Sequence, residues 1–141
     1  MIKFEKLPAD ILSRIPEAKR VLSEDDNVVF AYIFGGLVEK KIKPLSDVDI
    51  AVYLSNTDDL AEYKLHLFDK LSNALRTSEI DLIILNNAPL SITGRILQNR
   101  QILLDKNPPV RHAYESLILR KYFDFKVKED ALFSMRYGIG R

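Results

Sequence analysis

Three short apolar runs constrain this chain more than anything else in it. Val28–Phe34 (VVFAYIF), Asp47–Leu54 (DVDIAVYL) and Glu79–Leu85 (EIDLIIL) are rich in β-branched and aromatic residues. Each has strand length and is bounded by turn-forming residues. Between the second and third runs, Leu60, Leu67, Phe68, Leu71 and Leu75 recur at helical spacing to about Arg76. The first and second runs are separated by only about a dozen residues, too few for a parallel crossover that contains a helix. They are therefore expected to pair antiparallel.

The rest of the chain supplies helices. Ile11, Leu12, Ile15, Ala18, Val21 and Leu22 mark an apolar face between Pro8 and Leu22, and Pro16 is expected to split it into two short helices. NNAP precedes another helix that runs to about Asn99, with Asn87 or Ala88 near its cap and Pro89 in its first turn. QILL reads as a short fourth strand or an extension. From Val110 to about Met135, Ala113, Tyr114, Leu117, Ile118 and Phe125 mark one long or broken helix, with Tyr122, Phe123 and Phe125 expected in the core. The fold class is α/β, a small mixed sheet covered by helices. The 141 residues, 47% hydrophobic and 29% charged, suit a single domain with a core at about 28–104 and a C-terminal helical segment at about 108–136.

Composition excludes several chemistries. The chain has no cysteine, so it carries neither disulfides nor thiolate metal sites. No apolar run approaches the ~20 residues of a membrane span, and the charged N-terminus lacks the apolar core of a signal peptide. A cytoplasmic location is expected. The net charge of +1 conceals an asymmetry: residues 1–85 hold 11 basic against 15 acidic residues, and residues 86–141 hold 10 against 5. That division suits a cation site early in the chain; the basic residues of the last helix are either solvated or face an acidic partner. His66 and His112 have no partner at ligand spacing and read as surface or packing residues. Glu79 shares a face with Asp81 by period two and reads as a solvated strand end, the alternative being a fourth carboxylate beside Asp81.

Two aspartates interrupt the second strand. Side chains alternate along a strand, so Asp47 and Asp49 share one face, with Cα atoms roughly 6.6 Å apart, while Val48, Ile50 and Val52 share the other. Asp81 breaks the third strand in the same way. If those strands are neighbours in register, three carboxylates converge. Two such charges at ~4 Å repel by about 4 kcal/mol at an effective dielectric near 20. A divalent cation with oxygen ligands, Mg²⁺ or Mn²⁺, would offset this. Gly35 and Gly36 end the first strand and would bring bare backbone N–H groups close to phosphates.

The full pattern is Gly35-Gly36, ten residues, Asp47-Val48-Asp49, then Asp81 on a later strand and the segment LNNAP. It resembles the minimal nucleotidyltransferases (MNT) of the DNA polymerase β-like superfamily, whose signature is G-S-x10-D-x-D with a later carboxylate. The C-terminal RHAYESLILRKYFDFK resembles the last helix of their toxin–antitoxin branch, so the likeness covers about Val28 to Lys126. It implies a polymerase β-like fold and an antitoxin that transfers AMP from ATP to a tyrosine hydroxyl of a HEPN-family toxin. By the same resemblance, Asp47, Asp49 and Asp81 would be the metal-binding and catalytic residues, with Asp81 facing the attacking hydroxyl. Gly35, Gly36 and Lys40 would bind the triphosphate. The chain departs from the pattern at Gly36, where the family has serine, and at Glu39–Lys41, where members often carry glycine. The alternative is an antitoxin that neutralises its toxin by occlusion alone. A transferase for RNA ends or antibiotics fits less well, because no dedicated nucleic-acid-binding module or second substrate domain is evident.

Overall fold

The computed structural model describes residues 10–36 and 47–137. Helix α1 (Ile11–Ser23) leads into β1 (Val28–Phe34), followed by β2 (Val48–Leu54), α2 (Leu60–Leu75), β3 (Ile80–Ile84), a 3-10 turn at Leu85–Asn87, α3 (Leu90–Gln98), β4 (Arg100–Asp105) and α4 (Pro108–Tyr137). The strands form one four-stranded sheet in the order β3-β2-β1-β4. β1 pairs antiparallel with both β2 and β4, and β3 pairs parallel with β2. The short β1–β2 connection thus gives the antiparallel pair expected of it, and α2 supplies the longer crossover that a parallel pair requires.

Alternation along the strands feeds two cores. Ala31, Ile33, Ile50, Val52, Leu82 and Ile84 face α1 and α2, where they meet Ala18, Leu22, Leu67, Leu71 and Leu75. Phe30, Tyr32 and Ala51 face the other way, toward Ile96 and Leu97 of α3 and Val110, Tyr114 and Ile118 of α4. Spacing at i, i+4 and i+8 places Leu67, Leu71 and Leu75 on one stripe of α2, and all three are buried.

Several expectations fail for local reasons. Pro16 lies inside α1, which stays one helix. The carbonyl it leaves without an intrahelical donor belongs to Leu12, a residue on the solvent side and 60% exposed, where water is at hand. Pro89 occupies the N-cap of α3 rather than its first turn. α4 is one unbroken helix of 30 residues. At roughly 1.5 Å per residue it spans about 45 Å, longer than the sheet it packs on. Its spacing therefore continues past the last neighbour: Tyr122 is half-buried, but Phe123 is 68% and Phe125 41% exposed, not core. Glu79 is also not solvated, being only 8% exposed; its main chain is tied down by Val48 N–H on its carbonyl and by Thr77 Oγ1 on its N–H.

Candidate active site

The parallel register of β2 and β3 makes Asp49 and Asp81 direct partners, with strand axes about 4.8 Å apart. Asp47 immediately precedes β2. It lies two residues before Asp49, on the same side by alternation. Along that face burial falls from Ala51, which is fully buried, to half-buried Asp49 and Asp47 and then to exposed Asp81. Oδ1 of Asp47 is buried from solvent. The three carboxylates therefore run from the edge of the core out to the surface.

On the opposite side of Asp49 stands β1. Phe34 is the Cα partner of Asp49, so the next residue, Gly35, comes to rest against the aspartate side chain. Gly35 has φ +73°, a left-handed conformation, and a Cβ built on it would collide with Oδ2 of Asp49. Both constraints require glycine. Gly36 is half-buried beside it. Lys40 and the Glu39–Lys41 segment lie outside the described residues.

Among the described residues, no three His, Asp or Glu side chains converge closely enough to form a ready-made cation cage. The donor set nonetheless suits Mg²⁺. All three side chains offer hard oxygens, and Mg²⁺ is commonly held by one or two carboxylates that share it with substrate phosphates and water. The bare-backbone turn at Gly35 packs directly on the Asp49 carboxylate.

Two features behind the site escaped the sequence reading. Glu115 on α4, 8% exposed, accepts the Tyr32 hydroxyl at 2.6 Å, Arg100 Nη2 at 3.0 Å and, on its other oxygen, Arg111 Nη1 at 3.0 Å. Arg111 Nε also donates to Asp105 at 2.7 Å, and Arg100 lies 5.7 Å from the Tyr32 ring centroid. Burial pushes the Glu115 carboxyl up, but the Tyr32 hydroxyl and the two guanidinium groups outweigh it and hold the carboxyl below its usual range. Burial and the Glu115 carboxylate together raise the Tyr32 phenol far above its ordinary value. The network fastens α4 to the strands that carry Phe34 and Arg100. Two basic residues of the C-terminal third are thus neutralised within the chain. The i, i+4 spacing of Arg111 and Glu115 was a visible signal, but Tyr32 lies 83 residues away. The second feature is Asn86 of LNNAP. Its Oδ1 accepts the Leu54 N–H at 2.9 Å, and its Nδ2 donates to the Leu54 carbonyl at 2.8 Å, closing the far end of β2.

The family model for polymerase beta nucleotidyltransferases matches residues 17–109, a span that holds the sheet, both glycines and all three aspartates. The chain belongs to this family. No curated protein sequence matches it. Its fold is shared by a chain of a toxin–antitoxin crystal structure with AMP-PNP, at 21% identity and TM-score 0.67 over 86% of this chain and 94% of that one. Another similar chain comes from the tri-AMPylated Shewanella oneidensis HEPN toxin in complex with MNT antitoxin, at 19% identity and TM-score 0.66 over 88% and 96%. A third is from the MntA–HepT toxin–antitoxin, at 20% identity and TM-score 0.65 over 87% and 96%. As a polymerase beta nucleotidyltransferase, the chain carries its paired aspartates at the start of the second strand of a four-stranded mixed sheet, Asp47 just before it and Asp49 within it. No helix among the described residues is long and apolar enough to cross a membrane.

Proposed function

We propose that this nucleotidyltransferase is an MNT-type antitoxin that moves AMP from Mg²⁺-bound ATP to a tyrosine hydroxyl of a HEPN-family toxin. The observation that carries the reading is the pairing of Asp49 with Asp81 on adjacent strands, with Gly35, just past the end of β1, packed against Asp49 from the other side. It sets a bare-backbone cradle on one side of a carboxylate and a second carboxylate on the other. Gly35 and Gly36 present backbone to the phosphates, and Lys40 adds a cation. Asp47 and Asp49 would hold the metal, whose chemistry would be to offset the negative charge of the triphosphate. A phenol is a poor nucleophile at neutral pH, with pKa near ~10. Asp81, the most exposed of the three, would accept its proton as the phenolic oxygen bonds to the α-phosphorus and the bond to pyrophosphate breaks. Preorganised charge and positioning supply the rate.

A protein acceptor is supported by the outer half of α4. Phe123, Leu132 and Met135 are 68%, 66% and 81% exposed, a concentration of exposed apolar side chains around one helix of the kind found at protein interfaces. Calorimetric titration with ATP tests the reading: binding should require Mg²⁺ and should disappear in Asp47→Asn and Asp49→Asn. Equal ATP binding by all three proteins would remove the metal-nucleotide assignment.

A further inference from the structure

We infer that the open edge of β3 is the docking groove for an extended segment of the acceptor protein, which adds to the sheet as a fifth strand and brings its tyrosine to Asp81. This rests on the protein-acceptor reading above and specifies how the acceptor is recognised. β3 is an edge strand, paired only with β2 among the described residues. The hydrogen bond from Val48 N–H to the Glu79 carbonyl, 2.9 Å, fixes the phase of the parallel ladder. Residues 81 and 83 therefore turn their N–H and C=O groups toward β2, while those of Leu82 and Ile84 point away from it.

An apolar edge such as Ile80–Ile84 is normally blunted by charge, by proline or by a covering element. Here a groove of ≈ 700 Å³ runs along it instead, walled by Leu60, Ala61 and Lys64 of α2 and by Pro89 and Ile92 at the start of α3. Leu82 and Ile84 line this groove although both side chains are buried in the core. What they offer the groove is main chain. Outward N–H and C=O groups at strand spacing match one class of ligand, an extended polypeptide, which would bond to them as a further strand. From Asp81 to Ile84 the edge is about 10 Å long, enough for three or four residues at ~3.3 Å each. Lys64 on the wall favours an acidic residue in the segment.

The groove also begins where transfer needs it to begin, because Asp81 lines its end. The phosphate cradle at Gly35 lies beyond Asp49 on the β1 side, and the β3 edge lies on the opposite side. An acceptor arriving along β3 approaches the α-phosphorus from one side while pyrophosphate leaves on the other, as an in-line displacement requires.

The test is residue-resolved hydrogen exchange on the full chain with the HEPN-family product of the adjacent gene, α,β-methylene-ATP being present because its α–β bridge cannot break and the complex is held before transfer. The Leu82 and Ile84 amides should slow at least tenfold when that protein binds, and α,β-methylene-ATP alone should not slow them. Ala61→Arg and Ile92→Arg, both at exposed positions, should raise the KM for the protein acceptor tenfold or more. Asn73→Arg, exposed on the side of α2 opposite Leu60, Ala61 and Lys64, should leave it unchanged. Protection by α,β-methylene-ATP alone would give the groove to the nucleotide and overturn the inference. So would transfer that proceeds with unprotected amides and an unchanged KM, and that result would leave the transferase reading intact. Protected amides without any transfer would uphold the groove and remove the transferase reading instead.

Discussion

Replacing Gly35 with alanine tests the arrangement at Asp49 through two separable costs. The first is conformational: at φ +73° an alanine costs about 1 kcal/mol relative to glycine. The second is steric, because the new Cβ collides with the Asp49 carboxylate and forces that side chain out of its rotamer, for about 1 kcal/mol more. Urea unfolding should therefore show Gly35→Ala destabilised by roughly 2 kcal/mol. In an Asp49→Ala background the collision is gone, and the same substitution should cost only about 1 kcal/mol, a coupling that a double-mutant cycle measures directly. Activity should fall far more than stability. A carboxylate displaced by ~1 Å at the reacting centre costs on the order of 100-fold in rate. Additive stability costs in the cycle, or transfer by Gly35→Ala within a few-fold of wild type, would refute the close packing of Gly35 on Asp49.

Other outcomes follow from the same geometry. Asp47→Asn and Asp49→Asn should each abolish Mg²⁺-dependent transfer while thermal unfolding stays level or rises slightly, since carboxylate repulsion falls; wild-type rates in both would sink the assignment. Gly36→Ser should restore a hydroxyl directed at phosphate and improve ATP affinity or rate about tenfold, if the bond contributes ~1.4 kcal/mol, and a slower serine variant would count against it. Glu115 has a depressed folded-state pKa, so its contribution to stability is complete above its ordinary value and is lost as pH falls through the lower, folded one. Urea midpoints should therefore drop on acidification. Glu115→Gln should flatten that dependence and cost about 3 kcal/mol at neutral pH, by leaving Arg100 and Arg111 without their buried carboxylate; an unchanged acid profile would contradict it.

The parts of this molecule that were legible in its sequence are those governed by local periodicity. Alternation in DVDIAVYL placed Asp47 and Asp49 on one face, and the short β1–β2 loop required an antiparallel pair. The register that sets Asp49 beside Asp81 could be stated only as a condition, because strand order depends on how α2 crosses over. Helical spacing identified α4 but carries no information about where its neighbours stop, so Phe123 and Phe125 were assigned to a core that does not reach them. Pro16 was read as a break because a proline's cost depends on whether the freed carbonyl meets water, which burial decides. The Glu115 network joins residues from β1, β4 and α4, and no single window of sequence contains it. Glu79 escaped for a related reason: its carbonyl accepts the Val48 N–H across the β2–β3 junction, a contact between segments 31 residues apart.

The most direct measurement is the intact mass of the HEPN-family partner after incubation with this protein, ATP and Mg²⁺. The mass should rise by one or more whole AMP units that map to tyrosine, and Asp81→Ala should prevent the gain. If the partner is neutralised with no added mass, and the Asp47, Asp49 and Asp81 variants neutralise it equally well, the protein acts by binding alone and the transferase account is wrong.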